Sequence, residues 1–250
     1  MTNFITNTCE FVKGSYEDYK TLKEYHYVWD DPVCLRGIYK VRARQPFTSQ
    51  FPDPLAVIVY SVPIGEWSAR NVALGDFFSQ YKTKSLRQTA INHYISYIAR
   101  LIVDPRFFKL GLGSFLLSKS LELQTHNIVE TMTPIDFTKF MFEKAGFKHF
   151  YQPTPAPYSR MQMAFHRVGV PMMYWTQPKI VNLRIEALNR YLSDFFHSES
   201  KLFLRRFRHH EDMPRGPERI RYILSKINYP NSYLLWHNPK CPSDEFARDF

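Results

Sequence analysis

The sequence predicts an α/β (α+β) chain, with strands and helices alternating over residues 1–155 and a basic, mostly helical extension over 156–250 packed on that core. Three observations carry this expectation. Residues 55–62 and 98–103 are apolar, β-branched runs of the kind buried in sheets. An apolar helical stretch follows the loop Gly111-Leu112-Gly113-Ser114. The segment 151–158 holds three prolines in eight residues, which marks a boundary.

Composition bounds the rest. A hydrophobic content of 44% with 16% aromatics supplies a packed core, so the 250 residues read as folded apart from 241–250. The formal charge of +10 favours polyanionic partners, nucleic acid above all, over neutral or acidic ones. Cys9, Cys34 and Cys241 are widely separated and form no CxxC pair, which points away from disulfides and cysteine-held zinc and toward a reducing, cytoplasmic setting. The N-terminal residues do not have the pattern of a secretory signal. No run of about 18 apolar residues is present, so no membrane partner is expected.

The elements follow in order. Residues 16–27 are compatible with a helix that sets Tyr19, Leu22 and His26 on one side, until Asp30-Asp31-Pro32 stops it. Strands are expected at 35–42, 55–62 and 98–103, the last ended by Asp104-Pro105. A largely buried helix then carries Phe115, Leu116, Leu117, Leu121 and Leu123, and a short strand follows at 128–132. Thr133-Pro134-Ile135-Asp136 has the form of a capping box with Asp in place of Glu. Phe137, Phe140 and Met141 stripe the helix behind it, and Gly146 is a left-handed cap before a strand at 147–151. Beyond the break, helices are expected at 179–196 and 217–227.

The loop at 110–114 is where chemistry is expected. A strand, a glycine-bearing loop and a helix make an anion site, because the first helical N–H groups have no helical acceptors and the dipole favours negative charge there. Glycine lets a phosphate approach the backbone closely. Leu110, Gly111, Leu112, Gly113 and Ser114 supply such amides, and Ser114 adds a hydroxyl.

In this order of elements the chain resembles the GNAT superfamily of acyltransferases over roughly residues 22–151. The resemblance rests on Val103-Asp104-Pro105, on Gly111-Leu112-Gly113-Ser114 and on the stretch Met141-Phe142-Glu143-Lys144-Ala145-Gly146-Phe147. It implies a mixed central sheet flanked by helices, with loop amides that hold the pyrophosphate of acetyl-CoA or another acyl-type donor. The motif's leading Arg or Gln falls on Phe108, which leaves Arg106 or Lys109 to replace that contact.

A narrower set of residues resembles the Mom DNA-modification proteins of bacteriophages and their bacterial relatives. These are Glu24-Tyr25-His26-Tyr27, the strand from Ala56 to Pro63, Ala69-Arg70-Asn71 and Ile98-Ala99-Arg100-Leu101. The resemblance implies modification of the exocyclic amine of adenine in DNA by a carbamoylmethyl or acyl-type group, with iron as one metal the family allows. It places His26, Tyr27, Arg100, Ser114, Asp136 and Tyr151 in the active cleft.

Each candidate has a plain alternative. His26 and Tyr27 offer a base or metal ligand and a phenolic donor, or else an aromatic helix end. Asp136 offers a general base or metal ligand, although the capping box explains it without chemistry. Arg100 interrupts an apolar strand, so it faces either solvent or the donor cleft. Residues 201–221 carry seven Lys/Arg against three Asp/Glu, with Arg205, Arg206 and Arg208 as phosphate contacts or as a solvated helix face.

The reading is a GNAT-like transferase that modifies a nucleic-acid base, with DNA and a small-molecule donor as partners. Two alternatives stand beside it: an N-acetyltransferase for a protein or small amine, and a non-catalytic DNA-binding module on the same scaffold.

Overall fold

The computed structural model describes residues 7–26, 30–63, 65, 67–133, 136–151, 153–175, 177–207, 210–227 and 232–241. It divides into two compact units, Met1–Gln152 with Ser232–Phe250, and Pro153–Asn231.

The first unit is built on strands β1 (Cys9–Lys13), β2 (Leu35–Ala43), β3 (Ala56–Ser61), β4 (Ile95–Val103), β5 (Ile128–Thr133), β6 (Lys148–Tyr151) and β7 (Ser232–His237). Among the described residues they form one seven-stranded sheet of order β1-β2-β3-β4-β5-β7-β6. The β4–β5 pair is parallel, and every other neighbouring pair is antiparallel. Helices α1 (Tyr16–Leu22), α2 (Ser68–Ala73), α3 (Lys84–Tyr94), α4 (Leu112–Leu121) and α5 (Asp136–Lys144) flank it. This is an α/β arrangement, a mixed sheet flanked by helices, as the sequence leads one to expect.

The sheet is covered on both faces, which explains why β3 reads as an unbroken apolar run. Ile58 and Tyr60 pack with Leu112, Leu116 and Leu117 of α4, while Val57 and Val59 pack with Tyr19 and Leu22 of α1. The alternation follows from the two-residue period of a strand. Tyr60 keeps its hydroxyl satisfied in the core through Ser120 Oγ at 2.7 Å. Each fully buried leucine on α4 contributes about 1.5–3 kcal/mol relative to exposure.

Several helix limits follow from caps. Ser15 and Asp18 form a reciprocal capping box at the start of α1. The helix ends at Leu22 and tightens into a 3-10 turn over Lys23–Tyr25, shorter than the expected 16–27. Gly146, at φ +93°, terminates α5 as predicted. The capping box proposed for α5 involves Pro134 and Ile135, which lie outside the described residues.

The second unit holds α6 (Ala156–Arg167), α7 (Pro178–Glu186), α8 (Arg190–Leu204) and α9 (Pro217–Ile227) around Met161, Phe165, Phe196, Phe203 and Ile223. The single helix expected at 179–196 is two helices. Asn189 is extended (φ −62°, ψ 160°), and its side chain accepts the Leu192 N–H, so a new helix starts inside an uninterrupted apolar period. Among the described residues no helix is long and apolar enough to cross a membrane.

The division at residues 155/156 is close to the start of the second unit but is incomplete. Ser232–His237, placed by sequence in the extension, is β7 and inserts between β5 and β6. Its apolar run is too short to reveal a strand by periodicity, and its partners are about 100 positions earlier in the chain.

Candidate functional site

The site begins where two strands stop pairing. β4 and β5 are in register only at Ile95↔Ile128, Ser96↔Val129 and Tyr97↔Glu130. Beyond Tyr97 both strands continue without pairing to each other, and a cavity of about 510 Å³ lies between residues 98–103 of β4 and residues 131–133 of β5. The Thr131 hydroxyl donates to the Ile98 carbonyl at 3.0 Å, taking over where the ladder ends.

A bulge sharpens the divergence. On the β3 side, Val59 is opposite Arg100 and Tyr60 is opposite Ile98, so Ala99 is the extra residue. The Asp104 N–H donates to the Leu55 carbonyl at 2.9 Å. By the alternation of an antiparallel ladder, residues 100 and 102 also turn their backbone groups toward β3. Those of Leu101 and Val103 therefore face the open side, with no strand partner there.

The end of α4 closes the cavity. Gly111 is its N-cap at φ +86°, and the first helical bond runs from the Phe115 N–H to the Gly111 carbonyl at 3.0 Å. The amides of Leu112, Gly113 and Ser114 precede that bond and have no helical acceptor. Gly111, Leu112, Gly113 and Ser114 all line the cavity; Leu110 does not, and packs against the core instead. Gly113 brings the helix close to the sheet. A Cβ there would be 3.1 Å from Met141 Sδ and 3.5 Å from Leu101 Cδ2.

Of Arg106 and Lys109, the two residues expected to stand in for a basic side chain at Phe108, one lines the cavity. Phe108 lines the cavity and is 54% exposed. Arg106 is turned onto Asp104, with Nη2 2.6 Å from Oδ2, and does not line the cavity. That guanidinium holds the Asp104 carboxyl below the usual carboxylate range. Lys109, at φ +64°, does line the cavity.

Tyr25 and His26 also line the cavity. The structure thus brings His26 and Ser114 to one cavity. Tyr27 lies outside the described residues, as does the side chain of Asp136 at the first position of α5. Arg100 lines the cavity and is 7% exposed, and its guanidinium is turned onto the Ala99 and Asp30 carbonyls rather than to solvent. Tyr151 is a correction: it is on the edge strand β6, 69% exposed, and is not among the lining residues. By register it is opposite Ser232, which is opposite Thr133, so β7 separates Tyr151 from the cavity wall.

Sequence reasoning did not assign Thr131, Thr133, Thr138 or Met141 to the site, and all four line the cavity. The Thr133 and Thr138 hydroxyls are 2.9 Å apart. Among the described residues no group of three or more His, Cys, Asp or Glu side chains is placed to hold a metal ion.

The basic run behaves mostly as a solvated surface. Arg205 is 3.7 Å from Glu211 and Lys201 is 3.7 Å from Asp212, while the Arg206 guanidinium is over the Tyr158 ring. Arg208 lies outside the described residues. Exposed pairs of this kind contribute about 0–1 kcal/mol and offset the local positive charge.

No family model and no curated protein matches the chain. Among solved structures it is similar to arylalkylamine N-acetyltransferase 2 from Aedes aegypti, with 15% identity, a TM-score of 0.34, and coverage of 57% of this chain and 85% of that one. It is also similar to an apo-form mutant of agmatine N-acetyltransferase, with 13% identity, a TM-score of 0.34, and coverage of 57% and 83%. At that level of likeness neither neighbour bears on substrate or mechanism.

Proposed function

We propose that this chain transfers an acyl-type group from an acyl-CoA donor to an amine. The observation that carries the reading is the parted β4–β5 pair, closed by the unpaired N-terminal amides of α4 behind a left-handed Gly111. An acyl-CoA supplies an activated thioester carbonyl, a pyrophosphate and an arm bearing amides. The Leu112, Gly113 and Ser114 amides with Lys109 fit the pyrophosphate. The open edge at Leu101 and Val103 fits the amides of an extended arm, as an added strand would.

Within the cavity, the amine attacks the thioester carbonyl, a C–N bond forms and the C–S bond breaks. The thiolate leaves, and the amine gives up a proton. His26 is the proton acceptor in this reading, with Tyr27 and Asp136 as further candidates. His26→Gln is expected to lower kcat by about 10²–10⁴-fold while coenzyme A still binds. Steady-state rates beside equilibrium titration check this. An unchanged kcat removes His26 from the chemistry.

A second reading, favoured by the +10 charge, has adenine in DNA as the amine. A base in a duplex would have to be flipped out to reach the cavity. Mass analysis of nucleosides from DNA incubated with the protein and acetyl-CoA, beside a panel of small amines, separates the two. A mass gain on adenine selects the DNA reading, and acylation of free amines alone selects the first.

A further inference from the structure

We infer that one of the two reactants held in this cavity carries a carboxylate, which Arg100 receives. The inference rests on the acyl-transfer reading only for the names of the two reactants.

Among the described residues Arg100 is a buried cation with no ion-pair partner. Its Nη1 donates to the Ala99 carbonyl at 2.6 Å and its Nη2 to the Asp30 carbonyl, the Tyr19 hydroxyl is a further hydrogen-bond partner, and its Nε is buried without one. No carboxylate is within ion-pair distance of it among the described residues. The other buried guanidinium of the sheet unit shows the contrast: Arg70 is 1% exposed and meets Glu130 through two hydrogen bonds of 2.9 and 2.6 Å. A charge taken out of water is costly unless paired, so a folded protein keeps an unneutralised one where a ligand completes it.

Backbone carbonyls alone do not set Arg100 apart. Arg36 and Arg219 are also held by carbonyls. Neither of them lines the cavity between β4 and β5, whereas Arg100 does. The walls of that cavity hold Arg100, Lys109 and His26 and no Asp or Glu among the described residues. Lys109 is beside the α4 amides, where the donor's phosphates fit. Arg100 is on the strand, and the cavity lining it shares includes Ile98, Leu101, Ile102 and Met141. A planar fork in such surroundings suits a small planar anion, and a carboxylate matches it with two parallel N–H···O bonds.

Two sources supply that chemistry: an acyl group with a terminal carboxylate, or an amino-acid acceptor. Titration of the wild-type protein with paired probes separates them. For the acyl group the pair is succinyl-CoA against butyryl-CoA. For the acceptor it is phenylalanine against phenylalaninamide, with and without coenzyme A; the aromatic probe suits walls that include Tyr25, Phe107 and Phe142. In one pair the carboxylate member is expected to bind about tenfold tighter or more, and Arg100→Met to bring that pair within about twofold. No preference in either pair overturns the inference, as does a preference that survives Arg100→Met. The wild-type comparison stands even if the variant fails to fold. If coenzyme A does not bind but phenylalanine is preferred over its amide, the donor reading fails and the role of Arg100 stands. If coenzyme A binds and neither carboxylate is preferred, the reverse holds.

Discussion

Replacing Glu130 with alanine is expected to destabilise the protein by about 3–5 kcal/mol, since it strands a buried guanidinium. Glu130 is fully buried and accepts from Arg70 Nε at 2.9 Å, Arg70 Nη2 at 2.6 Å and the Tyr233 hydroxyl at 2.7 Å. Burial first, then the Glu130 charge, pushes the Tyr233 phenol well above its ordinary range, so it stays a donor. The Trp67 ring is over Arg70, 5.3 Å from the guanidinium carbon. The network thus ties α2, β5 and β7 at the last paired position of β4 and β5, where the cavity opens. Urea unfolding of the full chain measures the loss. The double variant Arg70→Met with Glu130→Leu is expected to recover most of it, because an apolar pair removes the unpaired charge. A Glu130→Ala loss of under about 1 kcal/mol would mean that water already reaches the pair.

Gly111→Val is expected to weaken coenzyme A binding by about 100-fold or more, the loss of two or more charge-assisted contacts. At φ +86° a β-branched residue is strained, and relieving that strain would shift the loop whose amides meet the donor in this reading. Strain of this kind costs about 1–2 kcal/mol of stability, so the variant should still fold. Gly75→Val supplies the control. Gly75 is at φ +55° with nothing within 4 Å of an added Cβ, so its strain is similar and its coenzyme A affinity should be unchanged. Equal losses in both variants would assign the Gly111 effect to general destabilisation.

The sheet was legible in part for a physical reason. β3 and β4 are buried on both faces and carry continuous apolar runs, whereas β7 is short and its neighbours are remote in sequence. The strand–glycine loop–helix order at 110–114 was legible because its features are local. The cavity itself was not, because it arises from two strands that pair for three residues and then part. Arg100 stood out as a charge in an apolar strand. Glu130 has the same signature in Ile-Val-Glu-Thr-Met-Thr, but its partner is 60 positions away on another element, beyond any spacing rule. The choice of Lys109 over Arg106 turned on Asp104, two residues before Arg106, which draws the guanidinium away.

Calorimetric titration of coenzyme A into the wild-type protein tests the central claim most directly. One saturable site of about micromolar affinity is expected, weakened by salt because phosphate meets amides and Lys109. Absence of heat and of saturation up to about 1 mM coenzyme A would contradict it.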